Sequence, residues 1–148
     1  SVLHTDGSGL PYLHMKAGGS LNPASHETID NHQHYVYQEG QPVFKAAVTK
    51  LVEASEELKV RNNLTAEDVD WVIPHQANLR IIEAVTRTMK VPAEKVIVNI
   101  QKYGNTSSAT IPVCLWEFEK SFKKGDILIM SAFGAGFSWG AVYLKWAY

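Results

Sequence analysis

Short apolar runs alternate with segments of helical periodicity from about residue 42 to the end of this sequence. Val96–Ile100 and Ile127–Met130 are almost entirely apolar, which is typical of strands covered on both faces of a parallel sheet. The predicted elements are, in order, a helix from about Pro42 to Leu58, a strand at Trp71–Ile73, a helix at Leu79–Met89, a strand at Val96–Ile100, a helix from Ile111 to Phe122 that Pro112 should bend or delay, a strand at Ile127–Phe133 and a final strand from about Trp139 to Trp146. We expect the last two strands to pair as a hairpin. This alternation predicts an α/β fold.

The bulk composition excludes several classes of protein. The chain has 148 residues, of which 45% are apolar, as expected for one domain with a core. Its net charge of -1 gives no reason to expect nucleic acid or a membrane surface as the main partner. No apolar run approaches the roughly 18 residues of a membrane span, and a single cysteine excludes an internal disulfide framework. We therefore expect a cytoplasmic protein.

The first forty residues show the least periodicity. Residues 6–41 are rich in Gly, Pro, Ser, Asn and His, which predicts a long irregular segment of the kind that is usually functional or mobile. The chain opens on Ser1-Val2-Leu3, as the end of a strand would, without an initiator Met or a leader pattern. We interpret this start either as a trimmed sequence or as the downstream half of a longer polypeptide.

Residues suited to catalysis come shortly after three of the predicted strands. His75 and Asn105 each follow an apolar run, and Gly134-Ala135-Gly136 follows another. The carboxyl ends of strands are where open α/β sheets bind and react. An imidazole and a carboxamide at that edge could donate two hydrogen bonds to a carbonyl oxygen that gains negative charge. The alternatives are a structural histidine, an asparagine that only caps a turn, and a plain hairpin turn.

Two other sets of residues fit structural roles better. Cys114 is the only thiol and lies on the apolar stripe of its predicted helix, where a free cysteine behaves as a small hydrophobe. His32 and His34 belong to a histidine-rich stretch, but no nearby cysteine or carboxylate set completes a metal site. We predict no metal.

A small group of basic residues lies close to the predicted site. Arg80 and Arg87 are seven residues apart and therefore share one face of the helix that begins beyond His75. Together with Lys45 they could form a basic patch beside the site, which would matter if the partner is acidic. The ordinary alternative is a solvated helix face.

Three motifs occur in the order and with the spacing of a known enzyme family. They are Ile73-Pro74-His75-Gln76-Ala77-Asn78-Leu79-Arg80, Tyr103-Gly104-Asn105-Thr106-Ser107 and Ala132-Phe133-Gly134-Ala135-Gly136-Phe137-Ser138-Trp139-Gly140. On these motifs the chain resembles, over residues 1–148, the C-terminal half of β-ketoacyl-acyl-carrier-protein synthase III, a condensing enzyme of the thiolase fold. The resemblance implies a C-terminal domain with a five-stranded mixed sheet and helices on both faces. It also implies an N-terminal half, absent here, that carries the nucleophilic cysteine.

The same resemblance implies roles for individual residues in a Cys-His-Asn enzyme that starts fatty-acid synthesis. His75 and Asn105 would stabilise the enolate that forms when malonyl-acyl-carrier protein loses carbon dioxide. The backbone N–H of Ala135 would meet the oxyanion of the acylated cysteine, whereas Cys114 matches a helix position. The implied residues of the substrate tunnel and coenzyme A entrance are Gly40, Phe44, Asn78 and Phe133. The implied docking residues for acyl-carrier protein are Lys45, Arg80 and Arg87.

The implied reaction needs no resident cofactor, because an acyl-coenzyme A thioester, typically acetyl-CoA, is itself a substrate. The implied partners are the N-terminal half, acyl-carrier protein, acyl-CoA and a second copy in a homodimer. Three alternatives stay open. They are a related thiolase-fold enzyme that makes an alkylquinolone or a long-chain ketone, a non-catalytic partner that binds acyl-carrier protein, and a hydrolase that uses Cys114.

Overall fold

The computed structural model describes the whole chain, Ser1–Tyr148, and confirms the predicted α/β fold. Its strands are β1 (Val2–Thr5), β2 (Leu13–Met15), β3 (Val36–Gln38), β4 (Trp71–Pro74), β5 (Ile127–Gly134) and β6 (Ser138–Lys145). Its α-helices are α1 (His26–Asp30), α2 (Gly40–Arg61), α3 (Leu79–Met89), α4 (Ile100–Tyr103) and α5 (Thr110–Phe118). Short 3-10 turns lie at Gly7–Tyr12, Ala93–Lys95, Ser107–Ala109 and Glu119–Ser121.

The main sheet is mixed and has the strand order β1-β6-β5-β4. β4 and β5 are parallel, whereas β6 is antiparallel to β5 and β1, so the predicted hairpin is present. The predicted strand at 96–100 is reduced to one parallel bridge between Val96 and Val72. It ends early because the side chain of Gln76, rather than a neighbouring strand, accepts the N–H of Asn99, and α4 begins at the next residue. The expected five strands are therefore four, with a single bridge in the fifth position.

Different helices cover the two faces of the main sheet, as expected. α2 and α3 pack on one face, in a core that includes Val43, Leu51, Leu58, Val85, Ile129 and Phe133. α5 packs on the other face, in a core formed by Ile73, Ile97, Cys114, Phe122 and Leu128. The second face is less completely covered, because Leu3 on β1 is 81% exposed and Trp116 on α5 is 71% exposed. None of the helices combines the length and the apolar character that crossing a membrane would require.

The prolines of the two helices that begin near the candidate site are easily accommodated. Pro42 is the third residue of α2, and Pro112 is the third residue of α5, because α5 begins at Thr110. The first N–H groups of a helix have no partner within the helix, so a proline in the first turn removes no hydrogen bond. α5 itself starts only after the 3-10 turn Ser107–Ala109, and the expectation that Pro112 bends or delays its helix stays a prediction.

The segment 6–41 is only partly irregular, in contrast to the sequence-based expectation. β2 and β3 pair as an antiparallel two-stranded ribbon, and α1 lies between them with a capping box formed by Ser25 and Thr28. α2 begins at Gly40, two residues before Pro42. Strands of three residues are too short to produce a recognisable alternation, which explains why sequence periodicity does not reveal this ribbon.

Candidate active site

A cleft of about 810 Å³ opens at the carboxyl ends of β4 and β5. This volume is in the range of small-molecule sites in proteins. Its walls come from the β2–β3 ribbon, the first turns of α2 and α3, and the loop after α4. The lining residues are Leu13, Val36, Gln38, Gly40, Gln41, Val43, Phe44, Ala47, Leu51, His75, Ala77, Asn78, Arg80, Ile81, Asn105, Ser107, Phe133 and Gly134. The structure therefore brings His75 and Asn105 to one cleft, as the sequence predicts.

His75 is fixed directly beyond the end of β4. Its backbone N–H donates to the carbonyl of Ser131 on β5 at 2.7 Å. Its side chain is half-buried, and Nδ1 lies 2.6 Å from Oγ1 of Thr110. Nε2 has no hydrogen-bond partner within the chain. Burial lowers the pKa of His75 below the ordinary value of 6.5, because the imidazolium form loses its hydration, and the side chain is therefore neutral at pH 7.

Asn105 follows a backbone turn that depends on a glycine. Gly104 has φ 68° and ψ -163°, a conformation that is essentially restricted to glycine. Oδ1 of Asn105 accepts the backbone N–H of Ser107 at 2.9 Å, and an N–H group can only donate, so the amide orientation is determined. The amino group of Asn105 has no partner within the chain. Both His75 and Asn105 thus have one polar atom held by the protein, and they leave Nε2 of His75 and the amino group of Asn105 available.

Gln76 links the two loops that carry these side chains. It is fully buried, and its amino group donates to the carbonyls of Pro74 and Ile97 at 2.7 and 3.2 Å. Its Oε1 accepts the N–H of Asn99 at 3.0 Å. Every polar atom of this side chain is therefore used to hold the residue after β4 against the segment that leads to Asn105.

The glycine-rich turn between β5 and β6 lies beside the cleft. Gly134 lines the cleft, whereas Ala135 is exposed in the turn and is not among the lining residues. The N–H of Ala135 donates to no acceptor within the chain. The residue before this turn, Phe133, is buried and packs against Phe137 with ring centroids 4.9 Å apart. The turn therefore leaves the N–H groups of Ala135 and Gly136 without acceptors in the chain, directly after the lining residue Gly134.

The four residues predicted for a substrate tunnel all line this cleft. They are Gly40, Phe44, Asn78 and Phe133. Asn78 also caps α3, because its Oδ1 accepts the N–H of Arg80 at 2.9 Å. The cap leaves the amino group of Asn78 without a partner in the chain, so a polar donor remains in a wall of which half the residues are hydrophobic.

The three predicted basic residues are exposed, but only one of them lines the cleft. Arg80 belongs to the lining, whereas Lys45 on α2 and Arg87 on α3 lie outside it. None of the three forms an ion pair with a carboxylate of the chain, unlike Lys50 and Arg61 on α2. Their charges are therefore not neutralised within the molecule.

Cys114 is not placed to act as a nucleophile. Its side chain is fully buried in the core beneath α5, and Sγ donates to Oδ1 of Asn99 at 3.2 Å. Burial, reinforced by the charge of Glu117, raises the pKa of this thiol to about 11. Since the thiolate is the reactive form of cysteine, the hydrolase alternative that depended on Cys114 loses its nucleophile.

The histidine-rich stretch forms an aromatic cluster in which His32 stacks on Tyr35 and His34 meets Tyr35 edge to face. The rings of His32 and His34 pack on Tyr35 with centroids 5.0 and 4.6 Å away. No three side chains of His, Cys, Asp or Glu converge as metal ligands anywhere in the chain. The cluster is therefore explained by ring packing.

Sequence reasoning misses several residues that shape the site. Thr110 and Gln76 support the two donors through contacts between residues that are distant in sequence. The ribbon contributes Leu13, Val36 and Gln38 to the wall. The only signal for Gln76 is its position next to His75, and the only signal for Thr110 is its place at the start of a helix.

Comparison with protein families gives a match over most of the chain. The profile of the family described as "3-Oxoacyl-[acyl-carrier-protein (ACP)] synthase III C terminal" matches residues 60–146. This range contains β4, α3, α4, α5, β5 and β6, and the residues His75 and Asn105.

Several curated and structurally characterised proteins are similar to the chain over its whole length. The Porphyromonas gingivalis protein named beta-ketoacyl-[acyl-carrier-protein] synthase III is 65% identical over 148 residues, which are 100% of this chain and 44% of that protein. The corresponding protein of Bacteroides thetaiotaomicron is 62% identical with the same coverage. The crystal structure of the 3-oxoacyl-[acyl-carrier-protein] synthase III from Aquifex aeolicus superimposes with a TM-score of 0.83 at 39% identity, covering 98% of this chain and 43% of that one. The chain thus spans less than half the length of these relatives.

Proposed function

This chain belongs to the 3-oxoacyl-[acyl-carrier-protein] synthase III C-terminal family, and from that membership we propose that it is the C-terminal catalytic half of a condensing acyltransferase. The proposed reaction joins an acyl group from acyl-CoA, typically acetyl, to malonyl-acyl-carrier protein with loss of carbon dioxide, the starting step of fatty-acid synthesis. The observation that carries the proposal is the pair of free donors, Nε2 of His75 and the amino group of Asn105, in one cleft.

The two donors suit the decarboxylation step. When the bond between the malonyl α-carbon and its carboxylate breaks, carbon dioxide leaves and the electron pair passes into a thioester enolate. His75 and Asn105 donate hydrogen bonds to the enolate oxygen, where the negative charge develops. Donors that are already oriented towards developing charge are usually the largest single contribution to catalysis. A neutral imidazole, as the lowered pKa of His75 implies, serves as such a donor without surrendering a proton.

Carbon–carbon bond formation follows from the same arrangement. The enolate α-carbon forms a bond to the carbonyl carbon of the acylated cysteine, and the cysteine sulfur leaves as a thiolate when the tetrahedral intermediate collapses. The oxyanion of that intermediate accepts the free N–H of Ala135. The cysteine itself belongs, in this proposal, to an N-terminal half, because Cys114 is buried and protonated.

The basic residues suit recognition of an acidic carrier protein. Lys45, Arg80 and Arg87 are exposed and have no carboxylate partner in the chain. Arg80 also lines the cleft, so a carrier protein bound there could direct its pantetheine arm past Asn78 and Phe44. Unneutralised charges near a site mainly increase the association rate and the specificity for an oppositely charged partner.

The remaining partners follow from the proposed reaction. We propose that the chain acts with an N-terminal half and within a homodimer, in the cytoplasm, and that acyl-CoA is a substrate rather than a resident cofactor. The partly uncovered sheet face with Leu3 and Trp116 is consistent with packing against another polypeptide. Relatives that carry the synthase III name at 65% identity favour this product over an alkylquinolone or a long-chain ketone.

The test uses a fusion enzyme, in which the N-terminal part of the Porphyromonas gingivalis relative precedes Ser1 of this chain. Carbon dioxide release from malonyl-acyl-carrier protein measures decarboxylation, and intact mass after incubation with acetyl-CoA measures acylation of the cysteine. We expect His75→Ala and Asn105→Ala each to reduce decarboxylation by about 10²–10³-fold and to leave acylation nearly unchanged. His26→Ala, which changes an exposed histidine of α1, is the control.

Two outcomes would contradict the proposal. Equal loss of both half-reactions in the His75 and Asn105 variants would contradict the roles assigned to these residues. An unaltered fusion enzyme that acylates normally but releases no carbon dioxide would instead favour a non-catalytic partner that binds acyl-carrier protein.

A further inference from the structure

Thr110 is the only hydrogen-bond partner of the His75 side chain within the protein. It is the first residue of α5 and is 2% exposed. Its Oγ1 lies 2.6 Å from Nδ1 of His75 and makes no other hydrogen bond. The two residues are 35 positions apart, so this contact exists only because the fold brings α5 against the end of β4.

Either Oγ1 of Thr110 or Nδ1 of His75 can be the donor of this hydrogen bond. If the threonine hydroxyl donates to Nδ1, both groups are satisfied and the neutral ring carries its own proton on Nε2. If Nδ1–H donates to Oγ1, the hydroxyl hydrogen has no acceptor in a buried site. A buried donor without a partner loses its hydration and gains nothing in return, so the first arrangement is favoured.

We propose that Thr110 is a positioning residue that holds neutral His75 in the tautomer protonated at Nε2. The cleft then receives an N–H donor from the imidazole and not a lone pair. A lone pair at this place would repel an oxygen that gains negative charge, whereas the N–H stabilises it. The catalytic consequence rests on the proposed function, but the tautomer itself does not.

The position of Thr110 connects it with the second donor. Asn105 and Thr110 lie at the two ends of one short segment that contains the turn Ser107–Ala109. This segment therefore supplies one donor directly, through the amide of Asn105, and orients the other through Thr110. The backbone of Thr110 is held as the first residue of a helix whose next buried side chain is Cys114.

The test compares Thr110→Val with Thr110→Ser in the fusion enzyme. Valine keeps the shape of threonine and removes the hydroxyl, whereas serine keeps the hydroxyl. Long-range ¹H–¹⁵N spectra of protein labelled with ¹⁵N-histidine report the protonation of each ring nitrogen at pH 8, and a His75→Gln variant identifies the signals of His75. If Thr110 only stabilised the fold, its replacement would not change which nitrogen of His75 carries the proton, and the two nitrogen shifts would keep their values.

We expect the unaltered protein and Thr110→Ser to show a protonated Nε2 and an unprotonated, hydrogen-bonded Nδ1. In Thr110→Val the Nδ1 signal should lose its hydrogen-bond shift, and the second tautomer should bring the two nitrogen shifts closer together. Decarboxylation should fall by up to about 10²-fold, the loss expected for an oxyanion donor, while cysteine acylation is retained. Thr110→Ser should restore decarboxylation.

A protonated Nδ1 in the unaltered protein would overturn the proposal, even if Thr110→Val did not fold. Nitrogen shifts that are identical in Thr110→Val and the unaltered protein would overturn it as well. The positioning role and the proposed function can fail separately. If His75 is protonated at Nε2 and this depends on Thr110, but the fusion enzyme releases no carbon dioxide, the positioning role is supported and the proposed function is rejected.

Discussion

Gln76 and Asn99 are joined by a hydrogen bond of 3.0 Å that connects the end of β4 with the start of α4. Gln76 accepts from Asn99 and donates to two carbonyls, so one buried side chain takes the place of several contacts that a continuous fifth strand would have made. The loops of His75 and Asn105 are consequently held together by a side chain and not by a ladder of backbone hydrogen bonds.

Replacing Gln76 should therefore destabilise the whole protein. Gln76→Leu leaves the N–H of Asn99 and the carbonyl of Ile97 without partners, and each buried group left unpaired costs about 1–3 kcal/mol. We expect the free energy of unfolding to fall by roughly 2–5 kcal/mol in urea denaturation. Gln101→Leu, at an exposed position of α4, is the control and should change stability by less than about 0.5 kcal/mol. Equal stability of the two variants would contradict the role of Gln76.

The lowered pKa of His75 makes a prediction about pH. The unfolded side chain binds a proton near its ordinary value of 6.5, whereas the folded one stays neutral until lower pH. The unfolded state thus binds more protons in this window, and this contribution to stability decreases as the pH falls from 6.5 towards the folded pKa. His75→Gln should abolish that part of the pH dependence in urea titrations.

The rate of decarboxylation should depend on pH in the same range. Since neutral His75 is the proposed donor, the rate attributable to this residue should stay constant as the pH falls through 6.5 and decline only at the lower folded pKa. The measurement is carbon dioxide release between about pH 5 and pH 8, a range that brackets the ordinary histidine pKa. A decline assigned to His75 with a midpoint at or above 6.5 would contradict burial as the cause.

The backbone at Gly104 gives a fourth prediction. A Cβ at this position would meet no atom within 4 Å, so any effect of Gly104→Ala must come from the strained φ of 68° and not from a clash. We expect a loss of about 1–3 kcal/mol in the free energy of unfolding. Decarboxylation should fall further than acylation, because Asn105 is the next residue.

Gly19→Ala is the matched control for this change, because Gly19 has ordinary φ and equally open surroundings. It should leave both stability and activity within error of the unaltered protein. Gly104→Ala with the same behaviour as Gly19→Ala would show that the turn tolerates an L-residue.

Arg80 provides a test of carrier-protein recognition. Arg80→Glu should raise KM for malonyl-acyl-carrier protein by about tenfold or more, and should raise KM for acetyl-CoA less, because a carrier protein presents an extended acidic surface to the basic residues whereas acetyl-CoA carries only its phosphate charges. The difference should shrink at high salt because exposed charges are screened. Steady-state kinetics with the two substrates measure it.

Lys124→Glu is the control for charge alone. Lys124 is exposed two residues before Asp126, at the edge of the sheet opposite His75. If both variants impaired carrier-protein use alike, net charge and not a local patch would be responsible.

The sequence predicts well those helices and strands whose apolar residues recur with a clear helical or strand period. α2, α3, β4, β5 and β6 each carry enough consecutive apolar positions to show a helical or strand pattern, and all five are present. His75 is predictable for a related reason, because it directly follows β4. Asn105 follows the apolar run at 96–100, which forms only one bridge to β4 but still leads into the same cleft.

What the sequence does not reveal depends on contacts between distant residues. The three-residue strands β2 and β3 have too few positions for a pattern. The loss of the fifth strand depends on Gln76, a polar residue whose burial no local pattern predicts. The contact between Thr110 and His75 likewise exists only once α5 packs under β4.

The β2–β3 ribbon forms part of the cleft wall but shares no strand with the main sheet that anchors His75. Changes in length or sequence at Leu13, Val36 or Gln38 can therefore alter the width of the cleft without moving the imidazole. Under the proposed function, selection among substrates and the chemistry performed on them would be carried by separable parts of the fold, so a new chain-length preference could arise in evolution from the ribbon while the donors stay in place.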